Sequence, residues 1–149
     1  MMSKVDVNEV IARAEKYYRD GDFFCSEAVV KTIKDAYGLD FSDDVIKMAS
    51  GFPIGIGRSG CLCGAVSGGV MALGMVSGRK EGKDPRVQDT LKYSAELHDR
   101  FKESRKSTCC RVLTRKFDMG CGEHKEQCIS ITGEVAGIVA DIINRENLA

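Results

Sequence analysis

The chain has 149 residues, 22 of them basic and 22 acidic, so its formal net charge is zero. The length predicts one domain with a core of its own, and the balanced charge gives no sign of the basic surface that binds nucleic acid. No run of about 18 apolar residues predicts a membrane span, and residues 1–6 lack the pattern of a signal peptide. We therefore expect a cytoplasmic protein without a membrane or nucleic-acid partner.

Cysteine is the residue type that stands out. The chain has seven cysteines, and a reducing cytoplasm would disfavour a purely structural disulfide framework. The cysteine content also stays below the roughly 8–10% that is typical of disulfide scaffolds. Metal binding, cluster binding or redox chemistry is therefore the better explanation for these thiols.

Apolar residues at helical spacing predict three helices in the first third of the chain. The first runs from a cap at Asp6 to about Tyr18, with Glu9 completing a capping box. The second runs from Phe24 to Tyr37 and the third from Ser42 to Ala49. The stripe of the second helix begins at Cys25, so this thiol is expected to face the interior.

Glycines and Pro53 predict an irregular segment over residues 51–58, followed by a central helix from Leu62 to Met75. Gly64 and Gly68 lie on one face of that helix. A glycine inside a helix costs roughly 1 kcal/mol relative to alanine. Two on one face therefore predict that a neighbouring helix or a bound group approaches this backbone closely.

The second half of the chain predicts three more helical segments. A long helix starts after Asp84 and Pro85, where a cap precedes a proline at the first helical position, and runs to between Glu103 and Lys106. Its predicted inward stripe is Val87, Leu91, Ser94, His98 and Phe101. A short segment over Cys109–Phe117 and a final helix over Lys125–Arg145 follow. No stretch alternates with period two, so we predict an all-α, multi-helix bundle with residues 1–149 in a single domain.

Four cysteines lie on, or at the end of, inward stripes of four different segments. They are Cys25, Cys63, Cys110 and Cys128. Helix bundles build metal and cofactor sites from such side chains. Ordinary packing also buries cysteine as a small hydrophobe, so geometry alone leaves both interpretations open.

The start of the central helix predicts a reactive thiol. Free N–H groups and the helix dipole favour a thiolate there, and Arg58 acts in the same direction. We therefore expect Cys61 or Cys63 to have the lowest thiol pKa in the chain. Cys61 is too close in sequence to Cys63 for both to be buried on one helical face, and we treat it, with Cys109 and Cys121, as a spare thiol.

The two histidines give weaker signals. Cys121, His124 and Cys128 have the spacing of half a zinc site, although a lone half predicts little. His98 lies on the predicted apolar stripe, where a hydrogen-bonded core residue is more common than a ligand. No Cys-x-x-Cys-His motif occurs, so c-type haem is not expected.

At these residues the chain resembles a family of small bacterial and archaeal proteins called putative redox-active proteins, labelled by the pattern C_GCAxxG_C_C. The resemblance covers most of the chain. It is carried by Gly55-Ile56-Gly57-Arg58, by Cys63-Gly64-Ala65-Val66-Ser67-Gly68, and by Cys25, Cys110-Arg111 and Cys128. The label spells Gly-Cys-Ala where this chain reads Cys63-Gly64-Ala65, so we match Cys63 to the family cysteine and treat Cys61 as extra.

The resemblance implies an all-helical, cysteine-based redox protein. A related domain looks to be used in split-Soret cytochromes, which also hold an iron–sulfur centre, and that analogy favours cluster binding. The haem residues of those proteins are lacking here. We therefore predict a cytoplasmic redox protein, a thiol-based oxidoreductase being one form of it, with Cys25, Cys63, Cys110 and Cys128 as working thiols.

Three chemistries stay open. In a dithiol mechanism one thiolate attacks a disulfide or oxidant and a second cysteine resolves the product. In an iron–sulfur protein the four thiolates bind the cluster. The third is a structural zinc site, or a bundle without redox chemistry.

Cofactor contacts are expected from Arg58, Cys61, Gly64 and Gly68, and alternative metal ligands from Cys61, Cys109, Cys121 and His124. The redox partner and the oligomeric state are open, a homo-oligomer included.

Overall fold

The computed structural model describes residues 4–118 and 121–149, and within these ranges the chain forms helices and no strand. The helices are α1 (Val7–Arg19), α2 (Cys25–Ala36), α3 (Asp44–Met48), α4 (Pro53–Ile56), α5 (Gly64–Ser77), α6 (Val87–Arg105), α7 (Cys110–Thr114) and α8 (Gly122–Glu146). They pack as a single-domain bundle, so the all-α prediction is confirmed. Part of residues 1–6, and Met119 and Gly120 of the predicted loop before α8, lie outside the described residues.

Local hydrogen bonds explain where the principal helices begin. The Asp6 carboxylate accepts from the backbone N–H of Asn8 at 2.8 Å and caps α1, so the predicted cap is confirmed. At α2 the Glu27 carboxylate accepts from the N–H of Phe24 at 3.1 Å. At α8 the sulfur of Cys121 accepts from the N–H of His124 at 3.3 Å. Each satisfies a donor that the helix itself leaves free.

The long helix α8 is the centre of the bundle. It packs against α1, α2, α5 and α6, and its buried stripe is the predicted one. The stripe comprises Ile131, Val135, Ile138, Val139 and Ile142. The Tyr37 hydroxyl donates to the Asn144 side-chain oxygen at 2.8 Å, and the Asn144 amide donates to Val5 O at 2.8 Å. These bonds fasten both α2 and the N-terminal segment to the last helix.

The predicted close approach to the central helix is made by α2. A β-carbon built at Gly68 would lie 2.6 Å from the carbonyl oxygen of Ser26, and one at Gly64 would lie 2.7 Å from the sulfur of Cys25. Real side chains do not tolerate such contacts with backbone. The two glycines therefore allow α2 and α5 to pack backbone against backbone and bring Cys25 onto the start of α5.

Residues 54–58 form a left-handed turn. Their φ angles are 58°, 63°, 56°, 58° and 70°, and three of the five are not glycine. Left-handed backbone costs L-residues roughly 1–2 kcal/mol each. The irregularity predicted for this segment is confirmed. The turn includes all of α4 after Pro53, so α4 is not a regular helix, and this segment packs against α7.

The inward stripe predicted for α6 is right at Phe101 and wrong at Leu91 and His98. Its other two positions, Val87 and Ser94, are half-buried. Tyr93, Leu97 and Phe101 are buried, whereas Leu91 is 57% exposed and His98 lies on the surface beside Asp99. The buried stripe has a spacing of four residues, at Tyr93, Leu97 and Phe101. It buries more apolar area than a stripe through Ser94 and His98 would. The hydroxyl of Thr90, which donates to Ser77 O at 2.6 Å, holds α6 in this rotation.

Candidate functional site

The four cysteines predicted to work together line one cavity of about 30 Å³. Cys25 is the first residue of α2, Cys63 is the N-cap of α5, Cys110 is the first residue of α7, and Cys128 lies in the second turn of α8. We call these four the interior quartet. The remaining walls are mainly apolar and include Tyr18, Phe24, Pro53, Ile54, Leu113 and Ile131. The predicted convergence of the four thiols is confirmed.

Burial governs the chemistry of the two deepest thiols. It raises the pKa of Cys63 to about 11, although the nearby backbone N–H groups of Val66 and Ala65 oppose the rise. Burial also raises the pKa of Cys25 well above its usual range, and the neighbouring thiols of Cys63 and Cys128 add to that effect. Both residues are therefore neutral thiols near pH 7.

The expectation that Cys61 or Cys63 has the lowest thiol pKa is wrong. Cys63 does cap a helix, but it is only 6% exposed, and desolvation of the thiolate outweighs the helix N–H groups. The pKa of Cys61 is raised as well, chiefly because its thiol stays protonated in a hydrogen bond to Cys109. Arg58 is exposed and is not among the groups that shift either thiol.

Cys128 has the most polar surroundings of the interior quartet. Burial raises its pKa, whereas the Tyr18 hydroxyl donates a hydrogen bond to its sulfur and opposes that rise. The ring nitrogen Nε2 of His124, a residue only 8% exposed, lies 3.8 Å from the same sulfur. Burial also raises the pKa of Cys110, with Cys109 and Cys61 as further causes.

The half zinc site suggested by Cys121, His124 and Cys128 is not assembled. The sulfur of Cys121 is used to cap α8, and His124 directs its ring towards Cys128. Over residues 4–118 and 121–149, no three side chains of His, Cys, Asp or Glu are grouped so that they could hold a metal ion. The quartet cavity of about 30 Å³ has room for about one or two waters, which is less than the iron and sulfide atoms of a cluster need. In this arrangement the quartet does not fit a cluster.

A second pair of thiols, Cys61 and Cys109, lies beside the quartet at the surface. Two backbone hydrogen bonds align their segments, from Cys63 N–H to Thr108 O and from Arg111 N–H to Gly60 O, both 2.8 Å. Cys61 is exposed and Cys109 is half-buried. We call these two the surface pair.

Cys109 is the one thiol whose pKa is clearly lowered among those with a resolved shift. The neighbouring thiol of Cys61 lowers the pKa of Cys109 most, and the nearby backbone N–H of Val112 at the start of α7 acts in the same direction. In its protonated form the Cys109 sulfur instead donates to Gly60 O at 3.1 Å. Among the thiols with a resolved shift, Cys109 therefore ionises most readily, and it has a protonated thiol next to it.

From the sequence, both members of the surface pair are predicted to be spare thiols, although a signal for their pairing is present. The chain carries two close doublets, Cys61-x-Cys63 and Cys109-Cys110, and one member of each was predicted to face inward. If Cys63 and Cys110 converge, the other two members are necessarily brought near each other on the outside.

An open cleft of about 720 Å³ adjoins the quartet. The cleft and the thiol cavity share Tyr18, Phe24, Ile54 and His124 as walls. These side chains separate the thiols from solvent, and Arg58 and Lys125 line the outer side.

Comparison with known proteins gives one family and one relative. A family model described as "Putative redox-active protein (C_GCAxxG_C_C)" matches residues 23–142, a range that contains all seven cysteines. An uncharacterised protein of Archaeoglobus fulgidus is 26% identical over 121 residues, which cover 76% of this chain and 80% of the relative. No solved structure matches the chain significantly.

No helix in the described part of the chain combines the length and the apolar character that a membrane crossing needs.

Proposed function

We propose that this chain, which belongs to the C_GCAxxG_C_C family of putative redox-active proteins, works by thiol–disulfide exchange at its interior quartet. The observation that supports the proposal is the convergence of four thiols from four separate helices on one small apolar cavity. A shared cavity brings the four thiols within one region of the bundle, where a disulfide could join two of them.

Cys25 and Cys63 are the pair that we assign to the interior disulfide. The sulfur of Cys25 lies against the first residue of α5, directly after Cys63, and Cys63 is the neighbouring thiol with the largest effect on the pKa of Cys25. Oxidation joins their two sulfurs and releases two electrons and two protons. A disulfide of a partner molecule accepts them and becomes two thiols.

One observation favours exchange over a cluster. The cavity of about 30 Å³ suits a disulfide, which needs no added atoms. Seven free thiols, one of them exposed, also suit a reducing compartment, and we propose the cytoplasm.

The test is anaerobic purification of the wild type and of four variants, Cys25→Ser, Cys63→Ser, Cys110→Ser and Cys128→Ser. Absorption spectra and iron content are measured for each protein. Peptide mapping before and after treatment with a disulfide oxidant then shows which cysteines are free and which form a disulfide. We expect colourless protein, an interior disulfide in the wild type, and its loss in the first two variants. Once oxidation has gone to completion, the other two variants should retain it, even if Cys110→Ser reaches that end point more slowly than Cys128→Ser does. Cys121→Ser is the matched control, because Cys121 lies outside the cavity. Brown protein that all four substitutions bleach equally would overturn the proposal in favour of a cluster.

A further inference from the structure

The interior quartet has no thiol suited to start an exchange with a partner. Cys63, with a pKa of about 11, is a thiolate in only about one molecule in ten thousand at pH 7. Cys25 is less ionised still, since its pKa is higher. Thiol–disulfide exchange begins with attack by a thiolate. If the quartet works by exchange, a more reactive and more accessible thiol is needed to pass oxidation inward.

The surface pair meets that need by its position. Cys61 is exposed, and the hydrogen bonds from Cys63 N–H to Thr108 O and from Arg111 N–H to Gly60 O hold its segment against that of Cys109. The Arg111 guanidinium also donates to Ser59 O at 3.0 Å. Cys110 adjoins Cys109 in the chain and lines the quartet cavity, so it faces both groups of thiols.

We propose that Cys61 and Cys109 form a surface dithiol at which this protein exchanges with the disulfide of a partner molecule, an inference that rests on the proposed function. Cys109 is the attacking thiolate, and it forms a mixed disulfide with one partner sulfur as the other leaves as a thiolate. Cys61 then gives its proton to that thiolate and attacks the sulfur of Cys109. The products are a Cys61–Cys109 disulfide and two reduced partner sulfurs.

Cys110 is the link to the interior. Its thiolate attacks the sulfur of Cys61 in the new disulfide and releases Cys109. Cys63 then attacks the sulfur of Cys110 and releases Cys61. Cys25 attacks the sulfur of Cys63 and releases Cys110, so that the disulfide finally joins Cys25 and Cys63. In each step the proton of the attacking thiol passes to the sulfur that leaves. Each step replaces one disulfide by another and returns one thiol, so no further oxidant is required. Direct bonding of Cys109 to Cys110 plays no part, because adjacent cysteines would need a distorted backbone.

The test uses 5,5′-dithiobis(2-nitrobenzoate), a disulfide that releases one coloured thiolate in each attack, on anaerobic reduced protein at pH 7. In the wild type we expect a fast release of two equivalents without a retained adduct, and a Cys61–Cys109 disulfide in the peptide map. Cys61→Ser should release one equivalent and keep a stable adduct on Cys109. Cys109→Ser should lose the fast phase, with a rate lower on the order of tenfold or more. Cys121→Ser, which removes a half-buried thiol outside both groups, should behave as the wild type does.

A fast phase that survives in Cys109→Ser, or a first adduct on Cys121 or on an interior cysteine, would overturn the assignment. The rate of interior disulfide formation separates this inference from the proposed function. If the interior disulfide forms equally fast in the wild type and in Cys109→Ser, the surface pair is not the entry point, although the proposed function stands. If the surface pair reacts as expected while the quartet never loses thiols, the proposed function fails and the surface dithiol stands.

Discussion

At the scale of the residue, Cys63 and Cys109 make a natural comparison because both are helix N-caps. Backbone N–H groups near each sulfur favour its thiolate, those of Val66 and Ala65 in one case and of Val112 and Arg111 in the other. The pKa of Cys63 nevertheless rises to about 11, whereas that of Cys109 falls. Burial separates them, since Cys63 is removed from water and Cys109 has a donor thiol beside it. A helix terminus alone therefore does not identify a reactive cysteine.

Tyr18 permits a test of a single hydrogen bond to a sulfur of the interior quartet. Its hydroxyl donates to Cys128 and holds the pKa of that thiol lower than burial alone would. In Tyr18→Phe the pKa of Cys128 should rise further, and iodoacetamide should alkylate Cys128 roughly fivefold more slowly between pH 8 and 10, the equivalent of about 1 kcal/mol. Tyr17→Phe, at the neighbouring position, is the control. Equal rates in the two variants would show that the Tyr18 hydroxyl does not act on Cys128.

At the scale of the element, α5 contains two glycines that should respond in opposite ways to alanine. A β-carbon at Gly68 would meet the backbone of Ser26 at 2.6–3.0 Å, whereas one at Gly74 would meet nothing within 4 Å. We expect Gly68→Ala to lower the free energy of unfolding by about 1–3 kcal/mol and Gly74→Ala to raise it by about 0.4–1 kcal/mol. Urea denaturation monitored by circular dichroism measures both changes. If both variants gained stability, the contact between α2 and α5 would be looser than described.

The positions of the helices along the chain could be predicted closely from the sequence. Which face of each helix turns towards the core could not always be predicted. The start of α1 at Asp6 and the buried stripes of α2 and α8 follow from caps and apolar spacing. The stripe of α6 was misassigned because two sets of positions alternate on that helix, and only packing of Tyr93 and Leu97 against the core selects between them. The left-handed turn over residues 54–58 was predictable only as irregular, since Ile54 and Ile56 have side chains that ordinarily avoid positive φ.

At the scale of the whole molecule, the quartet was predictable because each of its thiols lies at an inward position of its own segment. Their ionisation was not predictable, since it depends on how much water the assembled bundle excludes. The surface pair depends on hydrogen bonds between residues about fifty positions apart, such as Arg111 N–H to Gly60 O. The spacing of residues within one helix carries no information on contacts between distant segments. The doublets Cys61-x-Cys63 and Cys109-Cys110 do indicate this contact once Cys63 and Cys110 are known to converge.

The buried thiols should make the fold unstable in alkali. Because burial raises the pKa of Cys63 from 9.0 to about 11, this thiol contributes its full stabilisation below pH 9 and loses it as the pH rises through 11. Each such thiol should remove about 1 kcal/mol from the free energy of unfolding between pH 8 and 10, and Cys25 acts in the same sense. Urea denaturation of the reduced, anaerobic wild type should show the decline, and Cys63→Ser should reduce its slope. Cys121→Ser should retain the wild-type slope, because that thiol lies outside the cavity. A slope that Cys63→Ser leaves unchanged would mean that Cys63 ionises as readily in the folded chain as in the unfolded one.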